Sequence, residues 1–406
     1  MDEEKIRLSS WMQMGILWRE ILVKFALFFF CLAIWRNELN LSSFLLLILV
    51  WFFDNGLGKL RLIIKEPLAQ SILVLCAALL LGLLWSDPPE IGRLKWKKYF
   101  ILLMFIPFLS LLNKKRLPWA MMGLLAGYAG VLFAGIHQFV ILGEPGVALF
   151  KMSYLSFSAM LGIGAILAVY LADVSRYSKR ISMLLWAFAL ILLFIQFNQN
   201  GRGVLLATLI TLLFLFFLLN REKIRRCGAI LLSFIMVVSL FTFSSTAFQD
   251  RLTQAKRDIA LFQQGNYSTS VGYRLAMWDV GLDGIAKRPL LGHGTGMPES
   301  YFENSVVTYK GGIYKDLPRF HRTSHYHNDW IEIGMHIGIL GMLALAFLLW
   351  SWYRTFKRHH LPVLGMALVS YIFLAGLTDT FIIYSRIPLL LLVITAIAIR
   401  WQKKCG

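Results

Sequence analysis

Acidic residues are scarce in this chain: Asp and Glu number 22 against 41 Lys and Arg over 406 residues, a formal net charge of +19. No Asp-x-Asp pair occurs, which removes one common way of holding a divalent metal beside a phosphate. Cysteine is rare as well. Cys31, Cys76, Cys227 and Cys405 form no CxxC pair, and none falls between residues 246 and 329, so no disulfide staples that stretch. The Gly292-His293-Gly294-Thr295-Gly296 run has no lysine at P-loop spacing after it, which excludes a Walker A site. No long repeat is visible. No cleavable signal peptide is expected, because residues 1–18 are polar and the first apolar run lacks a small-residue cleavage site.

What the chain has in abundance is apolar surface. Hydrophobic residues make up 58% and aromatics 14%, with a mean hydropathy of +0.65, more than a soluble globular chain carries. The pattern predicts an all-α integral membrane protein. Runs long enough to cross roughly 30 Å of hydrocarbon as helix occur at about 21–35, 39–53, 67–85, 97–112, 118–142, 152–173, 181–197, 203–219, 229–245, 331–352, 361–383 and 387–401. That gives about 12 transmembrane helices and three regions: 1–245 with helices 1 to 9, a long, partly helical loop at 246–329, and 330–406 with helices 10 to 12.

Lys and Arg orient the bundle, since positive charge beside short connections stays on the cytoplasmic side. The clusters Lys59/Arg61/Lys65, Lys114/Lys115/Arg116, Arg176/Lys179/Arg180, Arg221/Lys223/Arg225/Arg226, Arg354/Lys357/Arg358 and Arg400/Lys403/Lys404 fall in alternate connections. They predict cytoplasmic N- and C-termini, with the long loop facing outside. Arg93/Lys95/Lys97/Lys98 breaks the rule. The cationic surplus points to membrane lipid headgroups, not nucleic acid, because no module presents a basic face. The loop is nearly balanced, with ten basic and eight acidic residues.

A connection of this length in a compact membrane protein is functional or disordered, and its Trp, Phe, Leu and Gly argue for the former. Within it, 248–264 and 272–287 read as helices. Arg274, Trp278 and Leu282 share a face of the second, which Pro289 ends. The Gly-rich turn is either a tight turn or a backbone cradle for phosphate.

The chemical candidates sit where the chain re-enters the membrane from outside. Gly201-Arg202-Gly203 and His325-Tyr326-His327-Asn328 each precede or begin an inward-running helix, whose N-terminal dipole attracts anions. Arg202 offers a permanently charged fork for phosphate oxygens, and the glycines let the backbone come close; the alternative is an interfacial arginine snorkelling to headgroups. His327, at the start of the tenth helix, is expected to be neutral near pH 7 and able to accept a proton from a hydroxyl. The alternatives are a hydrogen-bonded structural histidine, or a metal held by His321, His325 and His327.

Arg274, Trp278, Pro289, Gly292 and Gly294, followed by His327-Asn328, Ile333-Gly334, Ile337-Gly338 and Gly341, resemble the signature domain of the O-antigen ligase and polymerase superfamily. No single motif is specific; their order and spacing are. The resemblance implies glycan transfer from undecaprenyl diphosphate to a sugar hydroxyl of lipid A-core on the periplasmic face. Arg202 and Arg274 would bind the diphosphate and His327 would be the catalytic base, with His325, Asn328, Gly201, Gly203 and Trp278 in support. It further implies no metal and no cofactor, since arginines can neutralise a leaving group that is already good. A polymerase extending the lipid-linked glycan and a protein O-oligosaccharyltransferase share these motifs. A transporter or flippase is the non-enzyme alternative, against which Glu332 and Asp379, both near the outer surface, offer little for ion coupling.

Overall fold

A computed structural model of the chain describes residues 2–36, 40–86, 98–143, 152–174, 178–199, 201–222, 246–320, 325–383 and 386–405, with isolated positions between 228 and 244. Every long regular element among them is a helix. That is what a bilayer demands, because only a helix satisfies its backbone groups within one apolar segment. In chain order these are α1 (Asp2–Ala33), α2 (Asn40–Phe53), α3 (Gly56–Ile63), α4 (Pro67–Leu81), α5 (Phe105–Leu111), α6 (Leu117–Ile136), α7 (Tyr154–Val174), α8 (Lys179–Phe197) and α9 (Arg202–Asn220). There follow α10 (Thr246–Gln263), α11 (Ser270–Lys287), α12 (Met297–Ser305), α13 (Leu317–Phe320), α14 (Asp329–Arg358), α15 (Pro362–Gly376) and α16 (Arg386–Cys405). Pro67, Pro118 and Pro362 sit in the first two positions of α4, α6 and α15, where a missing N–H costs nothing.

Six described helices are long and apolar enough to cross a membrane, or seven if α2 and α3, bent by 97° at Asp54-Asn55, count as one span. The expected segment at 229–245 lies outside the described residues in large part. The other eleven expected segments are mainly helical, but several are shorter or more broken than their apolar runs suggested: Phe100–Leu111 opens as a 3-10 turn, and α15 stops at Gly376. At the α2–α3 bend, Arg116 donates to both oxygens of Asp54, at 2.7 and 2.8 Å, and also bonds Glu20. Three helices are thereby tied by one buried guanidinium.

α7 is the centre of the bundle. Its apolar span is 89% buried, against 33% for the neighbouring α8, and it packs against α8, α9, α15 and α16. α14 is the organising element at the loop, since it packs against α4 and α15 of the bundle and against α11 and α12 of the loop. The loop helices close over a second apolar cluster of Tyr273, Met277, Phe302, Tyr314 and Tyr326, which continues onto α14 through Ile331 and Met335.

Candidate active site

α9 starts with an unusual terminus. Its cap residue, Gly201, has no side chain to accept from the first amides, and Arg202 follows as the first helical residue. The glycines permit close approach, but to the protein itself. A Cβ on Gly201 would lie 3.0 Å from Ser158 Oγ, and one on Gly203 would lie 2.8 Å from Thr378 Oγ1. Their absence lets α9 begin flush against α7 and the segment after α15. In front of this terminus lies a cavity of about 360 Å³, polar on much of its wall. Arg202 and Arg274 both line it, together with Gln254 and Asp258 of α10, Ser270 and Thr378. The two arginines, 72 positions apart in sequence, thus face one space that no nearby motif announced.

The second terminus differs from its sequence expectation. α14 begins at Asp329, so His327 is outside it, with φ +48°, and Asn328 is the cap. Asn328 Oδ1 accepts from the amides of Trp330 at 2.9 Å and Ile331 at 3.2 Å, while its Nδ2 donates to the Leu377 carbonyl. Two amides at the start of α14 are therefore taken by its own cap side chain. Burial lowers the His327 pKa below the usual imidazole value, more than the neighbouring Asp379 raises it.

Asp379, fully buried just beyond α15, gathers the site. Its Oδ1 lies 3.0 Å from His325 Nε2 and 3.0 Å from His327 Nδ1, and Arg274 Nη2 stands 3.7 Å from its Oδ2. Both imidazoles reach one carboxylate oxygen because 325–328 is not helical: the backbone bends at His327, which adopts a left-handed conformation with φ +48°. Their rings are 4.1 Å apart. Burial resists ionisation of Asp379, yet the two imidazole hydrogen bonds outweigh it and hold the carboxyl below the ordinary range. A carboxylate only accepts, so each ring nitrogen facing it carries the proton. For His327 that leaves Nε2 with a free lone pair, the arrangement an oriented base requires.

Asp379 is the site residue that sequence reasoning set aside. The available signal was an acid flanked by Thr378 and Thr380 at the end of an apolar span, in a chain with few acids. It also supplies the carboxylate that the metal reading lacked: ligand atoms of His325, His327 and Asp379 lie within 4.8 Å of one another, a three-ligand group. His321 lies outside the described residues.

Trp278 donates from Nε1 to the Tyr326 carbonyl at 3.0 Å, so it holds the histidine-bearing strap in place. Leu282, expected on the same face, is exposed. The Gly-rich turn is not a phosphate cradle. Its amides donate to Arg288 O, Met335 O, His336 O, Gly82 O and His336 Nδ1 in turn, which leaves none for a ligand. It docks instead onto a break in α14 at Ile337-Gly338, where Gly338 has φ +63° and a Cβ would strike the Leu290 and Pro289 carbonyls. The Ile339 amide, freed by the break, donates to Pro289 O at 2.8 Å.

The chain is thus an all-α membrane protein in which two histidines share a buried carboxylate and two arginines line one cavity. Residues 187–346 match the family described as O-Antigen ligase. Over 204 residues the chain is 26% identical to the O-antigen ligase of Escherichia coli (strain K12), covering 50% of this chain and 47% of that protein. Over 148 residues it is 26% identical to an uncharacterized protein of Haemophilus influenzae (strain ATCC 51907 / DSM 11121 / KW20 / Rd), covering 34% and 36%. The chain thus spans about half the length, or less, of the curated relatives it matches. These matches support assigning the chain to the O-antigen ligase family.

Proposed function

We propose that this protein is a glycosyltransferase that moves O-antigen polysaccharide from undecaprenyl diphosphate to a sugar hydroxyl of lipid A-core. The site would face the periplasm from a bacterial inner membrane, with both termini cytoplasmic and 246–329 as the loop that completes it. The observation that carries the reading is the pairing of two charges with one base: Arg202 and Arg274 on a single cavity, and Arg274 beside the carboxylate that orients His327. Arg202 and Arg274 bind the diphosphate oxygens, with the uncapped amides of α9 behind them. His327 Nε2 takes the proton of the acceptor hydroxyl as its oxygen attacks the anomeric carbon. The bond from that carbon to the diphosphate oxygen breaks, undecaprenyl diphosphate leaves with the electron pair, and the anomeric centre inverts. Asp379 keeps the His327 tautomer and stabilises the imidazolium formed, as a buried acid does in hydrolase triads.

A lipid-linked glycan polymerase and a protein O-oligosaccharyltransferase would use the same chemistry, and the acceptor separates them. A transporter or flippase would give no transfer product at all. The test is transfer by the purified chain of lipid-linked polysaccharide to lipid A-core, read as a gel shift, without nucleotide and in excess EDTA. Product is expected. No product with any of the three acceptors would exclude the enzyme, and loss in EDTA restored by one divalent ion would assign His325, His327 and Asp379 to a metal instead.

A further inference from the structure

Two titratable side chains that the proposed chemistry does not use lie fully buried one turn apart on α14: Glu332 and His336. Glu332 Oε2 accepts from the Tyr326 amide at 2.9 Å, and its Oε1 stands 3.2 Å from His336 Nε2. On the other edge of that ring, Nδ1 is 2.9 Å from the Gly296 amide nitrogen. An amide only donates, so Nδ1 is the acceptor, and the proton of the neutral ring resides on Nε2, pointing at Glu332. Donors and acceptors thus alternate along the line Gly296, His336, Glu332, Tyr326, with the Gly294 carbonyl more distant from Nδ1 at 3.5 Å. Gly296 belongs to the turn that locks the broken α14, and Tyr326 sits between the two histidines of the site.

Tyr326 is thus fixed at both backbone groups, its N–H by Glu332 and its carbonyl by Trp278, while its ring is buried in the loop cluster. The strap at 325–328 has no helix or strand ladder of its own to hold it. We propose that Glu332 and His336 are positioning residues for the candidate base: by gripping the Tyr326 amide they keep both neighbouring imidazoles on Asp379. Neither touches substrate. The activity arm of this inference rests on the glycosyl-transfer reading; the structural arm does not.

The test uses the full chain in lipid nanodiscs with Glu332→Gln, His336→Ala and His336→Gln. Glutamine at 332 keeps the size but replaces one acceptor oxygen by a donor, so the Tyr326 amide and the His336 ring can no longer both be served. Glutamine at 336 retains one acceptor and one donor. Backbone hydrogen exchange of peptides spanning 325–331 is expected to accelerate in Glu332→Gln and His336→Ala and to stay slow in His336→Gln. In the transfer assay, kcat is expected to fall about a hundredfold in the first two, the cost of a displaced catalytic group, while binding of undecaprenyl diphosphate is unchanged and His336→Gln regains most of the rate. If Glu332→Gln does not reach the membrane, the two His336 variants carry the comparison. Unchanged exchange in the strap, or exchange that accelerates equally in both His336 variants, overturns the proposal. So does a fall in donor binding that matches the fall in kcat. A wild-type chain that transfers no glycan removes the glycosyl-transfer reading alone, since the exchange result still decides whether the strap is held this way.

Discussion

The two helix termini at the loop end of the bundle look alike in sequence and are opposites in structure. α9 begins at glycine, has no side-chain cap, and leaves its first turn toward a polar cavity. α14 begins at Asn328, whose side chain takes two amides, followed by the buried Asp329, whose Oδ1 accepts from the Ile382 amide. One terminus leaves its first turn beside a cavity lined by two arginines; the other already contains acceptors for its own amides. What α14 contributes is the strap before it, whose two imidazoles meet a carboxylate from the segment after α15. A polar run before an apolar helix is therefore no guide to whether the dipole is available.

The sharpest way to break this contrast is at the arginines. Arg202→Ala and Arg274→Ala are each expected to abolish transfer, with protein still present in the membrane, and Lys at either position is expected to rescue poorly because it lacks the planar fork. Near-normal lipopolysaccharide ladders in both Ala variants would remove the anion site from α9. Next comes His327→Ala, expected to lower the rate about a hundredfold to ten-thousandfold with donor affinity retained. His325→Ala is expected to cost less, since Asp379 keeps its bond to His327; a dead His325 variant beside an active His327 variant would swap the roles. The wild-type profile sharpens the assignment. A base must be neutral, and burial puts the His327 pKa below its usual 6.5. Activity should therefore fall only as pH drops below that value, and a limb rising through alkaline pH would contradict it. The smallest effect is expected for Asn328→Ala. It removes a cap worth about 1 kcal/mol, so a thermal melt should shift modestly, and a total loss of transfer with unchanged stability would mean that Asn328 contacts substrate.

Glu332 and His336 show why part of the site was invisible beforehand. In sequence they are a charged pair at i, i+4 on an apolar helix, which reads as a local contact. Only the folded chain brings Gly296 to one and Tyr326 to the other. Asp379 was visible as a residue but not as a partner, because 52 positions separate it from His327 and two helices must pack before they meet. Placing His327 at the start of the tenth helix hid the same thing, because the bend that brings both imidazoles to one carboxylate lies before the helix.

Composition and apolar runs by themselves determined that this chain is a helical membrane protein, because hydrocarbon leaves a long apolar segment no other way to satisfy its backbone. Local spacing also singled out the residues with chemistry to offer, Arg202, Arg274, His325 and His327, since charge and imidazole are conspicuous on an apolar background. Which of them meet, which helix end stays open, and that the Gly-rich turn spends its amides on α14 were decided by tertiary structure alone. Those outcomes depend on hydrogen-bond partners distant in sequence, and a buried polar group is stable only with such a partner in place.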